Sequence, residues 1–394
     1  MNRWTQLIHF NSDNIDPYRS NVPPIYQTAT FSQESALILG KYDYTRSGNP
    51  TRSVLEQQLA LLESGKHAFA FTSGMAALNS VMGLLKQGDH IVAGDDLYGG
   101  TFRLLAQRLP QRGIRVSWVD TTNLSVAAEA VTADTRIILI ETPSNPLQKI
   151  TDIAGLAELA HKNKALLVVD NTLLSPWLQQ PLLLGADIVV HSATKHLSGH
   201  SDVTAGVVVT NDAQIAKEIA FIQNAEGCAL APFESWLLSL GLKTLGLRIE
   251  RQQNTAQKIL SYLANNQWVK NIYYPGLVNH PGYHLHQQQT RGNGTVISFT
   301  TDSLALSNQI VEKTQLFTLS VSFGSLTSFI SLPSAMSHAS IPESKRTLPR
   351  DLIRLSIGIE DADDLIADLE QTFKEAIKSS RLATMAALVM TSEK

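Results

Sequence analysis

Cysteine is almost absent from this chain, since Cys228 is the only one among 394 residues. One cysteine cannot form an internal disulfide or supply a Cys-cluster zinc site, so we expect a reducing, cytoplasmic location, with a cysteine-poor secreted protein as the alternative. The sequence also lacks an apolar run of about 18 residues, the length of a membrane span. The opening segment has neither the apolar core of a signal peptide nor the arginine-rich pattern of a transit peptide, and we expect neither.

An excess of charge is lacking as well. Lys and Arg number 32 and Asp and Glu number 35, which gives a net charge of −3. A general nucleic-acid binder carries a basic excess, so neither a nucleic acid nor a membrane is an expected partner. Charged residues make up 17% of the chain and hydrophobic residues 43%, which favours a large core and excludes global disorder.

Seven short apolar runs alternate with stretches of helical length. The runs are apolar at successive positions rather than at alternate ones, as in strands that are buried on both faces. Strand and helix in alternation predict an α/β domain with a mostly parallel, seven-stranded sheet. The seven runs cover residues 68–71, 90–94, 114–119, 136–141, 165–170, 187–191 and 205–210, and the helical stretches between and after them cover 74–87, 99–110, 153–163 and 212–222.

The ends of the chain have a different pattern. The first 65 residues contain several prolines and are predicted to be irregular, like an arm. A long helical stretch over 232–266 precedes shorter strands and a helix near 360–378, which predicts a smaller α+β domain with an antiparallel sheet. We therefore expect an N-terminal arm (1–60), an α/β domain (61–250) and a C-terminal α+β domain (251–394).

Ligands of open α/β sheets bind outside the carboxyl ends of the strands, so the residues that follow each run are candidates for a site. Gly74 and Met75 open a helix after the first run, where backbone N–H groups can bind phosphate, although a plain N-cap by Ser73 gives the same pattern. Asp170 ends the fifth run, where a carboxylate either faces a cation or forms a structural cap.

Lys195 follows the sixth run, with the hydroxyls of Ser192 and Thr194 beside it. An unpaired ammonium is costly to bury, so a lysine at this place favours a Schiff base or an amine of lowered pKa over an exposed loop residue. A phosphate-binding turn, an acid and a lysine at neighbouring strand ends match the needs of pyridoxal 5′-phosphate (PLP). Tyr98 could cover its ring. No cluster has metal-ligand spacing, and we expect no metal.

Several longer motifs carry a resemblance to a known family. They are YTRSGNPT (44–51), TSGMAAL (72–78), GDDLYGGT (94–101), ETPSNP (141–146), VVDNT (168–172), HSATKHLSGHSDV (191–203) and IRLSIGIED (353–361). With these motifs the sequence resembles the Cys/Met-metabolism group of PLP-dependent enzymes over residues 17–378. The resemblance implies the PLP-dependent transferase fold of type I.

The resemblance also implies roles for individual residues. Lys195 resembles the Schiff-base lysine and proton carrier, Asp170 the partner of the pyridine nitrogen, and Tyr98 the ring-stacking tyrosine. Gly74, Met75, Ser192 and Thr194 resemble the phosphate ligands, and Asn145, Ser322 and Arg354 the group that binds the substrate carboxylate. Tyr44 and Arg46 resemble residues that reach the neighbouring subunit's site, which implies a homotetramer built from catalytic dimers.

The reaction expected within the family is β-elimination. Val321 stands where γ-lyases and γ-synthases of the family have Glu, and Gly100 where methionine γ-lyases have Cys. Stretches such as 16–31, 41–52, 223–253 and 321–342 resemble the cystathionine β-lyase branch. Thr327 departs from a Glu common elsewhere in the family, which also favours that branch but leaves the distal end of the pocket open. We expect L-cystathionine to be cleaved to homocysteine, pyruvate and ammonia. A γ-lyase, γ-synthase or methionine γ-lyase stays open, as does a PLP-binding regulatory protein with residual lyase activity.

Overall fold

The structure, a computed structural model, describes residues 1–9, 16, 18, 20–337 and 348–392. The helices, named in chain order, are α1 Arg3–Ile8, α2 Pro50–Glu63, α3 Gly74–Met82, α4 Gly99–Arg103, α5 Leu124–Ala130, α6 Ile153–Lys162, α7 Ser175–Leu178, α8 Ala213–Glu226, α9 Pro232–Leu242, α10 Leu245–Ala264, α11 Tyr283–Gln289, α12 Leu304–Lys313 and α13 Ala362–Ser392. Across this described part, no helix has the length and apolarity that crossing a membrane requires.

A seven-stranded sheet forms the larger part of the fold. Its strands are β1 His67–Phe71, β2 His90–Gly94, β3 Arg115–Val119, β4 Thr135–Glu141, β5 Leu166–Asp170, β6 Ile188–Ser192 and β7 Gly206–Thr210, in the order β1-β7-β6-β5-β4-β2-β3. All neighbours are parallel except β7, which is antiparallel to β1 and β6. The predicted mostly parallel seven-stranded sheet is therefore confirmed.

Both faces of this sheet are buried, which explains the continuous apolar runs. Ile138 and Ile140 pack into one core with α2 and α6, whereas Ile137 and Leu139 of the same strand pack into a second core with α3. A strand whose successive side chains point to opposite faces needs an apolar residue at every position when helices cover both sides.

A second, five-stranded sheet lies in the C-terminal part, with strands β8 Ile272–Tyr273, β9 Val296–Phe299, β10 Thr318–Leu319, β11 Phe329–Ser331 and β12 Ile353–Ser356. Its order is β10-β11-β12-β9-β8, and every pair is antiparallel except β10 with β11. Helix α10 joins the two cores, because Leu245 and Ile249 pack in the large one and Ile259 and Leu263 in the small one. The proposed boundary at residue 250 falls inside this helix, and the domain limits stay a prediction.

Two expectations about helices were wrong. Residues 50–63 are helical rather than irregular, because the Asn49 side chain caps the Thr51 N–H and Pro50 occupies the first turn, where its missing N–H costs nothing. The stretch 232–266 is two helices rather than one. The Arg248 guanidinium donates to the Gly241 carbonyl at 2.8 Å, an acceptor that a continuous helix would use for its own next turn.

Candidate active site

A cavity of about 410 Å³ opens where the carboxyl ends of β4, β5 and β6 face the start of β12 and the loop before β11. Sequence-predicted residues from both sheets meet in it. They are Gly74, Met75, Tyr98, Asn145, Asp170, Ser192, Thr194, Lys195, Ser322 and Arg354. The parallel topology therefore gathers side chains that are far apart in sequence into one chamber.

One end of the cavity is suited to an anion. Helix α3 begins at Gly74, and the Ser73 side chain caps only the Ala76 N–H, so the first two N–H groups have no partner within the helix. A Cβ on Gly74 would lie 2.8 Å from the Cβ of Ser192, so only glycine allows α3 to approach β6 this closely. The approach places the helix N-terminus, with its partial positive charge, beside the hydroxyl-bearing residues Ser192 and Thr194.

Asp170 is the carboxylate at the end of β5. Its Oδ1 accepts hydrogen bonds from the N–H and the hydroxyl of Thr172, and the Thr172 hydroxyl in turn accepts from the Ser192 N–H at 2.8 Å. Burial raises the pKa of Asp170 above its usual range, while the Thr172 bonds and His191 act in the opposite direction. A buried carboxylate with this support is suited to hold a cationic ring nitrogen by a charge-assisted hydrogen bond.

We call the side of the cavity formed by the ends of β5 and β6 its first wall, and the side formed by Arg354 of β12 and the loop before β11 its second wall. Lys195 follows β6 and extends toward the second wall. Its Nζ donates to the Ser322 hydroxyl at 2.8 Å and lies 5.5 Å from the centre of the Phe323 ring. Burial, and then the nearby Arg354 guanidinium, lowers the pKa of Lys195 to about 8. A larger neutral fraction than an ordinary lysine has is then available near neutral pH, which suits an amine that must act as a nucleophile or a base.

Arg354, on β12, is the cation of the second wall. Its Nη1 donates to the Asn145 side-chain oxygen at 3.0 Å and its Nη2 to the Ser322 carbonyl at 2.8 Å, while its Nε is buried and without a hydrogen-bond partner among the described residues. Burial lowers its pKa to about 10, a loss that the Glu141 carboxyl partly offsets. A buried guanidinium with a spare donor is suited to receive a carboxylate.

Ser322 connects these two cations, because its hydroxyl accepts from Lys195 and its carbonyl from Arg354. Its φ of 97° lies in the left-handed region, which a serine adopts only when its surroundings impose it. The contacts of Ser322 with both side chains fit such a held conformation.

Tyr98 precedes α4 and lies with its ring against Gly100, where a Cβ would come within 2.5 Å of the Tyr98 ring. A side chain at position 100 would therefore displace the ring. Tyr44 and Arg46, in contrast, do not line this cavity; they border a separate pocket of about 390 Å³. Arg46 there donates to the carbonyl and side-chain oxygens of Asn224 and lies over the Tyr44 ring.

Two further charged residues line the cavity and were not predicted from the sequence, Glu141 and Arg103. Glu141 ends β4 as Asp170 ends β5, and the two are direct neighbours in the sheet. Burial, followed by the charges of Asp170 and Asp96, raises the pKa of Glu141 well above its usual range. Its place at the end of an apolar run is the signal that could have found it, whereas Arg103, on α4, has no comparable signal.

The donor set fits PLP. The helix N-terminus with its hydroxyls suits the phosphate, Asp170 the pyridine nitrogen and the Lys195 amine the aldehyde. The lack of a side chain at Gly74 supports the fit, since a Cβ there would lie 2.8 Å from Ser192 and push the helix N-terminus away from it.

Comparison with known proteins agrees with this geometry. The sequence model described as Cys/Met metabolism PLP-dependent enzyme matches residues 4–374. The chloroplastic cystathionine β-lyase of Arabidopsis thaliana is 54% identical over 92% of this chain and 79% of its own length. The cystathionine γ-lyase of Bacillus subtilis is 45% identical over 95% of this chain and 100% of its own. The crystal structure of cystathionine γ-lyase from Lactobacillus plantarum with L-serine has a TM-score of 0.93 at 45% identity and covers 95% of this chain and 99% of that one.

Proposed function

Because the chain belongs to the Cys/Met metabolism PLP-dependent enzymes, we propose that it is a PLP-dependent carbon–sulfur lyase that cleaves L-cystathionine to homocysteine, pyruvate and ammonia. The similarity to a cystathionine β-lyase across most of both chains supports this proposal. The observation that carries it is the Lys195 amine, held by Ser322 beside the apolar Val321. One base at the reacting carbon suffices for a β-elimination, which removes a single proton from Cα.

The first wall of the cavity is assigned to the cofactor and the second to the substrate, and we call them the cofactor wall and the substrate wall. The cofactor wall comprises Gly74, Met75, Tyr98, Asp170, Ser192 and Thr194, and the substrate wall comprises Asn145, Ser322 and Arg354. We assign the phosphate to Gly74, Met75, Ser192 and Thr194, and the pyridine nitrogen to Asp170. Tyr98 covers the ring in this assignment. When bound, PLP supplies an aldehyde that condenses with amines and a ring that withdraws electrons from Cα of the substrate.

The remaining steps use side chains of the second wall and Lys195. Arg354 binds the substrate α-carboxylate through its guanidinium, and Asn145 and Ser322 hold that guanidinium in place. The Lys195 Nζ, neutral in part because burial lowers its pKa to about 8, takes the Cα proton. The same group then returns that proton to the homocysteine sulfur as the Cβ–S bond breaks, and the electron pair left at Cα forms the Cα–Cβ double bond. Water hydrolyses the released enamine to pyruvate and ammonia.

Arg103 supplies a place for the far end of the substrate. Cystathionine carries a second carboxylate, and Arg103 lines the same cavity as Arg354. We therefore expect Arg103→Ala to raise KM for L-cystathionine about tenfold or more. S-methyl-L-cysteine, which lacks that carboxylate, is the matched control and should keep its KM. Equal losses on both substrates would contradict this assignment.

The decisive experiment is a product assay on L-cystathionine with the PLP-loaded enzyme and with Lys195→Ala as the inactive control. Homocysteine and pyruvate are expected. Cysteine and 2-oxobutyrate would overturn the β-lyase proposal in favour of γ-elimination, the second candidate. That candidate is supported by 45% identity to a γ-lyase over nearly the whole of both chains.

A homotetramer built from catalytic dimers is part of the proposal. Tyr44 and Arg46 lie outside the cavity of their own chain, which fits arms that complete a partner's site. Heterodimers of Lys195→Ala with Arg46→Ala subunits, purified by two different tags, then contain one intact site each. We expect about half of the wild-type activity from them. Inactive heterodimers would show that each arm serves its own chain.

We also propose that the protein is cytoplasmic, because a chain with one cysteine gains no disulfide from an oxidising compartment. Fractionation of the source cells with detection of the protein by antibody tests this. Recovery from a secreted fraction would contradict it.

A further inference from the structure

Two loops bring Tyr98 and Asn145 into the active-site cavity. The first, residues 95–98, follows β2, and the second, residues 142–149, follows β4. Tyr98 and Asn145 themselves line the cavity, whereas Asp96, two residues before Tyr98, does not. Asp96 is nevertheless only 6% exposed, and a carboxylate is costly to bury unless hydrogen bonds compensate for the water it loses.

The partners of Asp96 all lie in the other loop. Its Oδ2 accepts hydrogen bonds from the Ser144 hydroxyl and from the Leu147 N–H at 3.3 Å. The Ser144 oxygen in turn accepts from the Lys149 N–H at 2.9 Å. One carboxylate oxygen of the first loop therefore organises the backbone of the second around the residue that precedes Asn145.

Two further contacts join the end of β4 and the second loop to the first loop. The Glu141 carboxyl, at the end of β4, accepts from the Tyr98 N–H at 3.1 Å. At the other end, the Lys149 Nζ donates to both side-chain oxygens of Asp95 at 2.9 Å. The first loop thus provides two carboxyl groups, Asp95 and Asp96, and the end of β4 provides one, Glu141. We call this set of three cross-links the loop clasp (Asp95–Lys149, Asp96–Ser144 with Leu147, and Glu141–Tyr98).

The clasp joins the two walls of the cavity. Tyr98 belongs to the cofactor wall, while Asn145 accepts from Arg354 at 3.0 Å and belongs to the substrate wall. Of the three cross-links, only Asp96 binds inside the turn that carries Asn145, because Lys149 and Glu141 lie at the two ends of that loop. A shift of this turn would therefore reach Arg354 through Asn145.

We propose that Asp96 is a positioning residue for the reaction, which acts by fixing the Asn145 turn against the Tyr98 loop so that Arg354 and Tyr98 keep their places around the substrate. The proposal rests on the proposed function for the identity of the reaction, but the role of Asp96 concerns any amino acid bound by Arg354. What Asp96 must supply is an acceptor at Oδ rather than a charge, since both of its partners are neutral donors.

The experiment compares Asp96→Ala, Asp96→Asn and the wild type as PLP-loaded enzymes, assayed well below their unfolding midpoints. Asp96→Ala should lower kcat/KM for L-cystathionine by about 100-fold, the usual effect of a small misplacement of a catalytic group. Asp96→Asn keeps an oxygen acceptor and should stay within about threefold of the wild type. Asp120→Ala is the control, because the Asp120 carboxylate lies 3.6 Å from the Nζ of the same Lys149 but is not part of the clasp. This variant should leave kcat and KM unchanged.

A double-mutant cycle with Asn145→Ala tests whether Asp96 acts through that turn. The combined variant should lose little more activity than Asn145→Ala alone, since both changes disturb one element. Fully additive losses would overturn the proposal, as would an Asp96→Ala enzyme within about twofold of the wild type, because substrate-positioning effects are larger than that. An Asp96→Asn enzyme as weak as Asp96→Ala would overturn it too. If Asp96→Ala does not fold, Ser144→Ala removes the same bond from the other side and is expected to reproduce the loss.

A second readout separates this proposal from the β-lyase assignment. Exchange of the α-proton of L-alanine in deuterated water, followed by NMR, needs Lys195 and Arg354 but no elimination. Asp96→Ala should slow this exchange as much as it slows cleavage. If the wild type yields γ-elimination products while the exchange is still slowed, the β-lyase proposal fails and the role of Asp96 stands. Exchange at the wild-type rate in Asp96→Ala overturns the role of Asp96 alone.

Discussion

The two walls of the active-site cavity are built in different ways. The cofactor wall is built around adjacent strand ends of one sheet, with Asp170 on β5 and Ser192 on β6 joined through the Thr172 hydroxyl. Gly74 of α3 and the Tyr98 loop lie beside these strand ends. The substrate wall is assembled from a loop of the large sheet, a strand of the small sheet and the strained Ser322. Sheet topology fixes the strand ends of the cofactor wall, whereas the substrate wall depends entirely on long-range contacts between separate elements. Changes to the substrate wall should therefore alter substrate handling while the cofactor stays bound.

Lys195 belongs to both walls, and its removal is expected to have the largest effect. Lys195→Ala deletes the proposed Schiff-base amine and the bond to Ser322 together. We expect kcat to fall by more than about a thousandfold, since the proposed nucleophile and base are lost at once. Steady-state assays measure this loss, and the visible absorbance of the lysine-bound cofactor should disappear with it. A coloured variant that retains activity would contradict the assignment.

Arg354 tests the substrate wall alone. Arg354→Ala removes a buried guanidinium that donates to Asn145 and Ser322, and we expect kcat/KM to fall by about 100- to 1,000-fold, as for other buried charge pairs. Arg354→Lys keeps the charge without the planar fork and should be intermediate. PLP absorbance should match the wild type in both variants. Loss of cofactor in either one would show that the two walls are not separable.

Gly74 tests the cofactor wall alone. A Cβ at this position meets Ser192 at 2.8 Å, so Gly74→Ala must push α3 away from β6. We expect the affinity for PLP to fall by about tenfold or more, because the phosphate would lose its close approach to the helix N-terminus. At saturating PLP, KM for the substrate should change little. Gly94→Ala is the matched control at the same edge of the sheet, where the nearest atom is 3.4 Å away.

Asp96 joins the two walls through the loop clasp, and its variant Asp96→Asn, which is expected to change activity least, tests a pH dependence of stability. Burial raises its pKa from 3.8 to about 6, while Ser144, Leu147 and Lys149 act to lower it and Asp95 adds to the rise. The folded protein then holds a proton that the unfolded chain releases between these pH values. The contribution of Asp96 to stability is therefore greatest below pH 4 and is lost as the pH rises through 6.

Asp96→Asn carries no ionisable group at this place, so it should gain stability relative to the wild type as the pH is raised from 4 to 7. The gain is at most about 3 kcal/mol, from about two pKa units. Unfolding of the PLP-loaded proteins across this pH range measures it. A difference between the two proteins that does not change with pH would mean that folding does not raise the pKa of Asp96.

The contrast between the walls also explains what the sequence could predict. Each of the seven predicted runs coincides with a strand to within one residue at each end, because burial on both faces makes the strands stand out as apolar. Asp170 and Lys195 followed from the rule for strand ends. Arg354, Asn145 and Ser322 followed only from the family resemblance, since no local pattern indicates that a β12 residue reaches a loop of the other sheet.

The errors have local physical causes. Pro50 suggested an irregular arm, although it stands in the first turn of α2, where proline is favoured. At the break between α9 and α10 the Gly241 carbonyl accepts from the Arg248 guanidinium and from the Thr244 N–H, contacts that no periodicity reveals. The sequence patterns did not predict β10, because this edge strand has only two residues and pairs with β11 alone. Glu141 was overlooked although it ends its strand as Asp170 does.

Helix α10 has a consequence for how such proteins can be recombined. Its N-terminal turns complete the core of the large sheet and its C-terminal turns complete that of the small one, so a single rigid element belongs to both. A cut near residue 250 would leave half of an apolar helix face uncovered on each fragment. We therefore expect a chimera that takes its substrate wall from a relative to fold only when the whole of α10 comes from that relative as well. The segment that has to be exchanged as one piece therefore includes α10 as well as the small sheet that carries Arg354.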